Sequence, residues 1–217
     1  METKKIGIIG SGPVGRSLAA GFLKNGYEVM MGSREPSKLL EWKKTAGPNA
    51  VTGNFTETAK FGEIIVLAVK GKVAKDALGI AGAENLSGKI VIDTTNPIDD
   101  APPEKGVLKF FTTLDKSLME ELQSDFPKTH FVKSFSCIGS EFMVNPDFNG
   151  EKPTMFIAGN DEKAKKEVTS ILHLFGFDVE DMGDAEGARA IEPLCILWCI
   201  PGILHNEWSH GFKLLKK

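Results

Sequence analysis

The stretch from residue 5 to residue 34 constrains the fold of this chain more than any other part of the sequence. An apolar run, Ile6 to Ile9, leads directly into Gly10 to Gly15, which reads G-S-G-P-V-G. A helical pattern follows over Arg16 to Asn25, and a second apolar run covers Tyr27 to Met31. A G-x-G-x-x-G turn that leaves a buried strand and opens a helix is typical of sheets that bind a dinucleotide at the end of the first strand. We therefore predict a strand, a glycine turn, a helix and a second strand here.

The three glycines of this turn have separate physical roles in a dinucleotide site. Gly10 permits the tight turn, Gly12 lets a pyrophosphate approach the backbone, and Gly15 lets the helix pack against the strand. Pro13 suits the first helical turn, where its missing N–H is not needed. The free N–H groups of that turn and the helix dipole favour a phosphate. The alternative interpretation is a glycine-rich turn that binds no ligand.

The end of the second predicted strand indicates which dinucleotide is bound. Chains that prefer NAD usually place Asp or Glu there to bind the ribose hydroxyls. This chain has no carboxylate before Glu35 and instead offers Ser33, Arg34 and, one helical turn on, Lys38. A hydroxyl and two cations suit the 2′-phosphate of NADP(H), which an arginine can bind with two parallel hydrogen bonds. The alternative is a solvated basic loop before a helix.

Net charge, hydropathy and cysteine usage argue against several classes of protein. The formal net charge is −3, so no global attraction to nucleic acid or to an anionic membrane is expected. The first apolar run ends at Ile9, too early for a signal-peptide core, and no run reaches the ~18 apolar residues of a membrane span. Three cysteines do not make a disulfide framework, so we expect a cytoplasmic protein. Cys195 and Cys199 would share one helix face, as buried thiols or alternatively as a redox pair or half a metal site. We predict no metal site.

Apolar runs and helical patterns alternate along most of the chain. The strongest strand is Ile64 to Val69, whose six consecutive apolar residues suit a central strand covered on both faces. The alternation predicts the α/β class with a doubly wound, mostly parallel sheet, whose ligands bind beyond the carboxyl ends of the strands. The other predicted strands are Ala50 to Val51, Lys89 to Asp93 and His130 to Phe135, and the predicted helices are Pro36 to Lys44, Thr56 to Phe61, Val73 to Leu78 and Leu114 to Phe126. Leu39 and Leu40 are expected on the inner side of the first of these helices, and Thr56 as the cap of the second.

The last third of the chain predicts a smaller α/β unit. Strands over Thr154 to Gly159 and Phe177 to Glu180 flank a helix that Asp161 caps and that ends at Leu174. Lys165 is expected on the solvent side of that helix, with its charged neighbours.

A final helical segment, Ala185 to Leu204, becomes strongly apolar and is expected to break at Pro201-Gly202. The apolar run from Leu194 to Leu204 is expected to close the core, to form a dimer interface or to line a cofactor pocket. We predict a dinucleotide-binding domain over residues 1–139 and a C-terminal strand-helix-strand-helix extension over residues 140–217 that packs on the sheet.

Six segments together resemble those of a known family, the NADP-dependent oxidoreductases that move hydride between NADP(H) and the deazaflavin coenzyme F420. They are the glycine turn, Gly32 to Arg34 with Lys38, Val66 to Val69, Asp93 to Pro97, Lys133 to Ser136, and Ala158 to Asp161. The cytoplasmic domain of the six-transmembrane metalloreductases is also similar, and the resemblance covers nearly the whole chain. It implies an NADPH-binding Rossmann domain with a small C-terminal extension, acting as a homodimer. One position departs, because the family usually has Asn where this chain has Ser136, and this bears on the electron acceptor more than on NADPH.

The resemblance also implies which residues bind the cofactor. Gly10 to Val14 hold the pyrophosphate, while the nicotinamide lies near the ends of the fourth to sixth strands. The complete predicted cofactor site is Gly10, Ser11, Gly12, Pro13, Val14, Gly15, Ser33, Arg34, Lys38, Ala68, Val69, Lys70, Val73, Asn96, Pro97 and Ser136. Lys70 and Ser136 flank the nicotinamide position and are the candidates for a catalytic role, although hydride transfer between stacked rings needs little acid–base help.

These observations predict an NADP(H)-dependent oxidoreductase whose partner is a small-molecule redox acceptor, either coenzyme F420, FMN or FAD. One alternative is an imine reductase like pyrroline-carboxylate reductase, which has a long, all-helical C-terminal domain. Another is a non-catalytic NADP(H) sensor that binds a partner protein through its apolar C-terminal segment. Oxidation of NADPH in the absence of any partner protein distinguishes an enzyme from a sensor.

Overall fold

A six-stranded parallel sheet forms the centre of the structure, a computed structural model that describes residues 4–217. Its strands are β1 (Lys5–Ile9), β2 (Glu28–Gly32), β3 (Ala50–Gly53), β4 (Ile64–Leu67), β5 (Ile90–Asp93) and β6 (His130–Lys133). Their spatial order is β3-β2-β1-β4-β5-β6, and every neighbouring pair is parallel. The strand order therefore reverses between β1 and β4, where open α/β sheets form a ligand crevice. The predicted α/β class and doubly wound parallel sheet are confirmed.

Helices cover both faces of this sheet. They are α1 (Pro13–Lys24), α2 (Leu40–Ala46), α3 (Phe55–Phe61), α4 (Ala74–Ala81), α5 (Ala83–Leu86), α6 (Leu118–Asp125), α7 (Glu162–Leu174), α8 (Ala188–Ile191) and α9 (Leu194–His205). Ile64 and Val66 of β4 belong to one apolar cluster, with buried residues of α1 and α7. Ile65 and Leu67 belong to a second cluster, with residues of α3, α4 and α6. The alternation confirms that β4 is a central strand buried on both faces, which is why its sequence is continuously apolar.

A second, two-stranded parallel sheet joins β7 (Thr154–Ile157) to β8 (Asp178–Asp181). It is attached to the main sheet by one antiparallel bridge between Lys133 and Ala158, in which the Lys133 N–H donates to the Ala158 carbonyl at 2.9 Å. Phe175 and Phe177 of this part lie in the same apolar cluster as Ile6 and Ile8 of β1. Apolar packing thus runs across the predicted boundary at residue 139, and the division into two domains stays a prediction.

Three strands end earlier than the sequence pattern predicts. β4 ends at Leu67, β6 at Lys133 and β7 at Ile157, each about two residues before the end of its apolar run. Ala68 and Ser134, which follow β4 and β6, still donate to the Ile9 and Asp93 carbonyls, at 2.8 Å and 3.0 Å, and the chain then enters the loops of the candidate site.

Two helix starts differ from prediction because of their caps. Helix α3 is capped by Asn54 and not by Thr56: Asn54 Oδ1 accepts from the Glu57 N–H, and Glu57 Oε2 accepts from the Asn54 N–H, both at 2.8 Å. Helix α6 begins at Leu118 because Ser117 forms the same reciprocal box with Glu120. The predicted start at Leu114 was wrong, and that side chain is 74% exposed.

Three further predictions about single residues were wrong. Leu40 is 55% exposed, because a 3₁₀ turn over Pro36–Leu39 precedes α2 and rotates Leu40 outward. Lys165 is buried, with its Nζ 2.9 Å from Asp181 Oδ2 and 2.8 Å from Glu162 Oε1. Pro201 does not break the last helix, which continues to His205 and ends where Asn206 adopts a left-handed conformation.

One stretch, Ala185–His205, is long and apolar enough by length and composition to span a membrane. Its mean hydropathy reaches 1.4, although no single run of apolar residues had suggested such a span. The stretch is divided into α8 and α9, and the buried Glu192 lies between them.

Candidate functional site

The glycine turn between β1 and α1 brings three glycines into different surroundings. Gly10 has a φ of +118°, and a Cβ there would overlap the carbonyl of Ala68 at the end of β4. A Cβ on Gly15 would overlap the carbonyl of Gly10. A Cβ on Gly12 would meet no heavy atom within 4 Å. Gly10 and Gly15 are therefore required by the fold, whereas Gly12 borders open space, as a close approach of a ligand to its backbone requires.

Helix α1 begins at this open space. Gly12 is its N-cap, Pro13 is its first residue, and no side chain caps the first turn. The first backbone N–H groups of a helix have no intrahelical partner, and the helix dipole adds positive potential at that end. Arg16 at the same end donates from Nε to the Ser11 carbonyl at 3.0 Å. This end of α1 can accept an anion such as a pyrophosphate.

The residues after β2 lie beside that turn, since β2 pairs with β1 up to Gly32. Ser33 donates its N–H to the Gly53 carbonyl at 3.0 Å, and its Oγ accepts from the Glu35 N–H at 3.2 Å. Arg34 is exposed and forms no ion pair with any residue of the described range 4–217. Lys38 pairs with Glu35 at 2.8 Å, and this hydrogen bond lowers the pKa of Glu35. Ser33, Arg34 and Lys38 are thus brought together, with Lys38 shared with a carboxylate.

The ends of β4, β5 and β6 form the other half of the candidate site. Ala68 and Val69 are half-buried, Lys70 and Val73 are exposed, and Pro97 is buried. Asn96 and Ser136 come together, because Asn96 Nδ2 donates to the Ser136 carbonyl at 2.8 Å. Within residues 4–217, the buried atoms Asn96 Oδ1 and Ser136 Oγ have no hydrogen-bond partner.

The backbone at Phe135 sets the direction of Ser136. Phe135 has a φ of +60°, a left-handed conformation that non-glycine residues rarely adopt. Its ring is buried against Phe175 and Phe177, with centroids 6.3 Å and 6.0 Å away. Strain of this kind persists where packing enforces it and is frequent at functional sites.

A buried ion cluster, made of Asp93, Lys133 and Glu192, lies at the carboxyl ends of β5 and β6 and was not predicted. Lys133 Nζ is 2.7 Å from Asp93 Oδ2 and 2.9 Å from Glu192 Oε1, and it donates to the Thr95 carbonyl at 2.8 Å. All three charged side chains are at most 2% exposed. Burial alone would lower the pKa of Lys133, but the two carboxylates outweigh burial and raise it. A charged residue inside an apolar strand was the available signal, since a buried charge requires partners.

The three cysteines differ in burial and in acidity. Burial raises the pKa of Cys137 to about 12, so its thiolate is scarce at neutral pH. A hydrogen bond between the buried Cys195 and the partly buried Cys199 raises the pKa of Cys195 and lowers the pKa of Cys199. Among residues 4–217, no group of three or more His, Cys, Asp or Glu side chains is arranged to hold a metal ion.

Two cavities differ in their relation to this edge of the sheet. The larger, about 460 Å³, lies between α1 and α2 and is lined by Leu23, Lys24 and Trp42, away from the carboxyl ends of the strands. The smaller, about 210 Å³, is lined by apolar side chains that include Phe110, Leu114 and Ile196. Arg189 also lines it, as does Glu192, which belongs to the ion cluster. The smaller cavity is linked to the carboxyl edge of the sheet through Glu192, which pairs with Lys133 at the end of β6.

Comparisons with known proteins agree with this geometry. The sequence model of the family described as "NADP oxidoreductase coenzyme F420-dependent" matches residues 5–97. The chain is 33% identical over 210 residues to the metalloreductase STEAP3 of Rattus norvegicus, a match that covers 94% of this chain and 39% of that protein. The chain thus spans about two-fifths of the length of the curated relatives it matches.

Solved structures extend the comparison to the whole chain. A protein from an Arthrobacter species, with a provisional assignment as an F420-dependent NADP reductase, is 32% identical with a TM-score of 0.91, covering 98% of this chain and 100% of that one. An imine reductase from Streptomyces aurantiacus has a TM-score of 0.70 at 16% identity, covering 93% of this chain and 63% of that one. The second similarity concerns the fold alone.

Proposed function

We propose a hydride-transfer reaction for this chain, which belongs to the coenzyme F420-dependent family of NADP oxidoreductases. The chain is an NADP-dependent oxidoreductase. The proposal concerns the second substrate: a flavin-like ring, either the deazaflavin coenzyme F420, FMN or FAD, exchanges hydride with the nicotinamide.

The observation that carries the proposal is the open space at Gly12, flanked by the uncapped end of α1 and by Ser33 and Arg34. It lies at the reversal of strand order, where dinucleotides bind across the crevice. In this arrangement Gly10 to Val14 hold the pyrophosphate of NADP(H), and Ser33, Arg34 and Lys38 hold its 2′-phosphate. NADPH supplies the hydride when bound, and the chain supplies orientation and exclusion of water.

The residues at the ends of β4, β5 and β6 fit the nicotinamide. The unpartnered buried atoms Asn96 Oδ1 and Ser136 Oγ match the N–H and carbonyl groups of a carboxamide. Ala68 and Val69 are half-buried and offer apolar surface for a ring, Val73 is exposed at the same edge, and Pro97 is buried next to Asn96. Lys70 is exposed at the same edge and is a candidate for binding NADP(H) or for catalysis.

The cavity of about 210 Å³ supports a flat second ring near this edge. It shares Glu192 with the ion cluster, and Lys133 of that cluster bonds to the Thr95 carbonyl, one residue before Asn96. A deazaflavin or flavin ring needs an apolar slot of this kind beside the nicotinamide.

Rapid mixing of the protein with NADPH and one acceptor tests the proposal. We expect the absorbance of reduced nicotinamide to fall with coenzyme F420, FMN or FAD, and to remain constant when chelated ferric iron is added alone. Ferric iron is included because the rat relative is a metalloreductase. Turnover without any partner protein would exclude a sensor as the sole role. No oxidation with any of the three rings would contradict the acceptor class.

An imine reductase is less well supported. The C-terminal part holds the strands β7 and β8, in contrast to the all-helical C-terminal domain expected for that class. The imine reductase comparison is at 16% identity and covers 63% of that chain. Addition of a cyclic imine with NADPH tests this alternative directly.

We also propose that the chain is a homodimer through α9. Leu197 and Leu204 of that helix are 54% and 51% exposed, and only Cys195, Trp198 and Gly202 of it are buried. An exposed apolar surface of this kind is typical of an interface. Light scattering after gel filtration should give twice the chain mass, and Leu204→Glu should give the monomer.

A further inference from the structure

The ion cluster of Asp93, Lys133 and Glu192 lies on the half of the sheet opposite to the proposed phosphate positions. The phosphates lie at the ends of β1 and β2, whereas the cluster lies at the ends of β5 and β6. Buried ion clusters are costly to form and rarely add net stability, so their presence calls for a reason other than stability.

We propose that the ion cluster positions the nicotinamide end of the site, with Lys133 fixing Thr95 and thereby setting Asn96 and Ser136 against the ring. The inference rests on the proposed function. It makes Lys133 and Glu192 positioning residues, which act on the nicotinamide through Thr95 and Asn96.

Three oxygens surround the ammonium of Lys133 and fix its position. It donates a hydrogen bond to the Thr95 carbonyl at 2.8 Å, and it forms ion pairs with Asp93 Oδ2 at 2.7 Å and with Glu192 Oε1 at 2.9 Å. Because the Lys133 side chain is fully buried and lies between two carboxylates, the Thr95 carbonyl that it binds is held in place as well.

Three hydrogen bonds hold Thr95 in place. Besides its carbonyl, its N–H and its Oγ1 both donate to Asp93 Oδ1, at 2.9 Å and 2.7 Å. Asn96 follows directly and donates to the Ser136 carbonyl at 2.8 Å. The cluster therefore fixes the backbone from which the unpartnered Asn96 Oδ1 projects.

Ser136 is fixed by a second set of contacts, those of the preceding residue, Phe135. The left-handed Phe135 precedes it, and the Phe135 N–H lies 3.2 Å from Met155 Sδ of β7. Two of the buried atoms without a hydrogen-bond partner in the described part of the chain, Asn96 Oδ1 and Ser136 Oγ, are thus held by rigid neighbours. Preorganised polar atoms of this kind orient a ligand without being reorganised by it.

Glu192 brings the C-terminal helices into this arrangement. Its Oε2 accepts from the Leu118 N–H and its Oε1 from the Met119 N–H, both at 3.0 Å, at the start of α6. These bonds offset the excess negative charge of two carboxylates on one lysine. The segment between α8 and α9 is thereby tied to the edge at which hydride transfer takes place.

The variant Glu192→Gln tests this inference without removing the side chain. The amide keeps one acceptor oxygen but turns an NH₂ group towards either Lys133 or the N–H groups of α6, so the cluster must shift. The matched control is Asp181→Asn, which neutralises one of the two carboxylates around Lys165, another buried lysine. Lys165 lies between α7 and β8, and none of its contacts reaches Thr95 or Asn96.

Two probes separate positioning from general damage. The first is NADP⁺, and the second is 2′-phospho-ADP-ribose, which is NADP⁺ without the nicotinamide. For Glu192→Gln we expect the affinity for 2′-phospho-ADP-ribose to stay within about twofold, since the phosphate positions are intact. The rate of hydride transfer at saturating NADPH should fall by about tenfold or more, because small misplacement of reacting groups has large effects. The nicotinamide fluorescence of bound NADPH should shift towards that of the free cofactor.

For Asp181→Asn we expect none of these three quantities to change. A second pair of variants guards against misfolding: Lys133→Arg should retain more of the hydride-transfer rate than Lys133→Met at equal NADPH saturation. Equal losses of affinity for NADP⁺ and for 2′-phospho-ADP-ribose in Glu192→Gln would overturn the inference. A hydride-transfer rate and a fluorescence of bound NADPH equal to those of Asp181→Asn would overturn it as well. Failure of the unaltered protein to bind NADP⁺ would instead contradict the proposed function.

Discussion

At the scale of single residues, Arg34 decides between NADPH and NADH in our account. It is exposed at the end of β2 and has no ion pair among residues 4–217. Replacing it with alanine should weaken NADPH by about tenfold to a hundredfold, the effect of a lost charge-assisted hydrogen bond, and should leave NADH nearly unchanged. Titration by fluorescence measures both affinities.

The matched control for that variant is Lys44→Ala, which removes an exposed cation of α2 that pairs with Glu41. It should leave both affinities unchanged. Equal losses of NADPH and NADH in Arg34→Ala would contradict the assignment of Arg34 to the 2′-phosphate.

In the proposed site, Glu35 competes with the 2′-phosphate for Lys38 and Ser33. It holds Lys38 at 2.8 Å, and its N–H occupies Ser33 Oγ. Glu35→Gln should therefore strengthen NADPH by about two- to fivefold, the range of an exposed charge interaction, with little effect on NADH. Isothermal titration at low salt measures the change.

Glu41→Gln is the control, because Glu41 forms the same kind of pair with Lys44 three residues on. It should leave the affinity for NADPH unchanged. Weaker binding of NADPH in Glu35→Gln would show that Glu35 supports the site and does not compete with it.

At the scale of elements, different glycines of the turn between β1 and α1 serve folding and nucleotide binding. Gly12→Val should cost only the preference of a helix N-cap for glycine over valine, since no atom lies within 4 Å of the added Cβ, yet it should weaken NADPH and NADH alike by obstructing the pyrophosphate. Gly10→Ala should instead lower the free energy of unfolding by about 1–3 kcal/mol, because its φ of +118° strains any side chain and the Cβ meets Ala68. Calorimetry and nucleotide titration on both variants check this. A stable Gly12→Val that binds NADPH normally would contradict the site.

The elements that sequence predicts best are those fixed by local pattern. Strand β4 and the turn into α1 follow from a continuous apolar run and from glycine spacing, and both are confirmed. The cap of α3 could have been predicted, since Asn54 has Glu57 three residues later, as a capping box requires, whereas Thr56 has Ala59 at that spacing. For the ion cluster, the charged Lys133 within an apolar strand indicates a buried charge, but its partners Asp93 and Glu192 meet it only through the order of strands and the path of α8 and α9.

At the scale of the whole molecule, Glu120 and Arg189 join the sheet domain to the C-terminal helices. Arg189 donates to both Glu120 oxygens, and this hydrogen bonding lowers the pKa of Glu120 from 4.5 to about 2. A carboxyl with a lowered pKa in the folded state stabilises that state above pH 4.5, and the stabilisation is lost as the pH falls towards 2. Glu120→Gln should therefore lose less stability than the unaltered protein over this range.

Thermal midpoints measured from neutral pH to pH 2 check that prediction. Glu121→Gln on the same helix is the control and should follow the unaltered protein. Parallel pH profiles for all three proteins would contradict a role of the Glu120–Arg189 pair in joining the two parts.

Recognition of the extra phosphate of NADP(H) at the end of β2 is the property on which the proposed function of the whole chain depends. Parallel titrations of the unaltered protein with NADPH and NADH, at one fixed salt concentration, measure this recognition most directly. We expect NADPH to bind more tightly by at least about tenfold, as a charge-assisted contact requires. Equal affinities for the two nucleotides would contradict it.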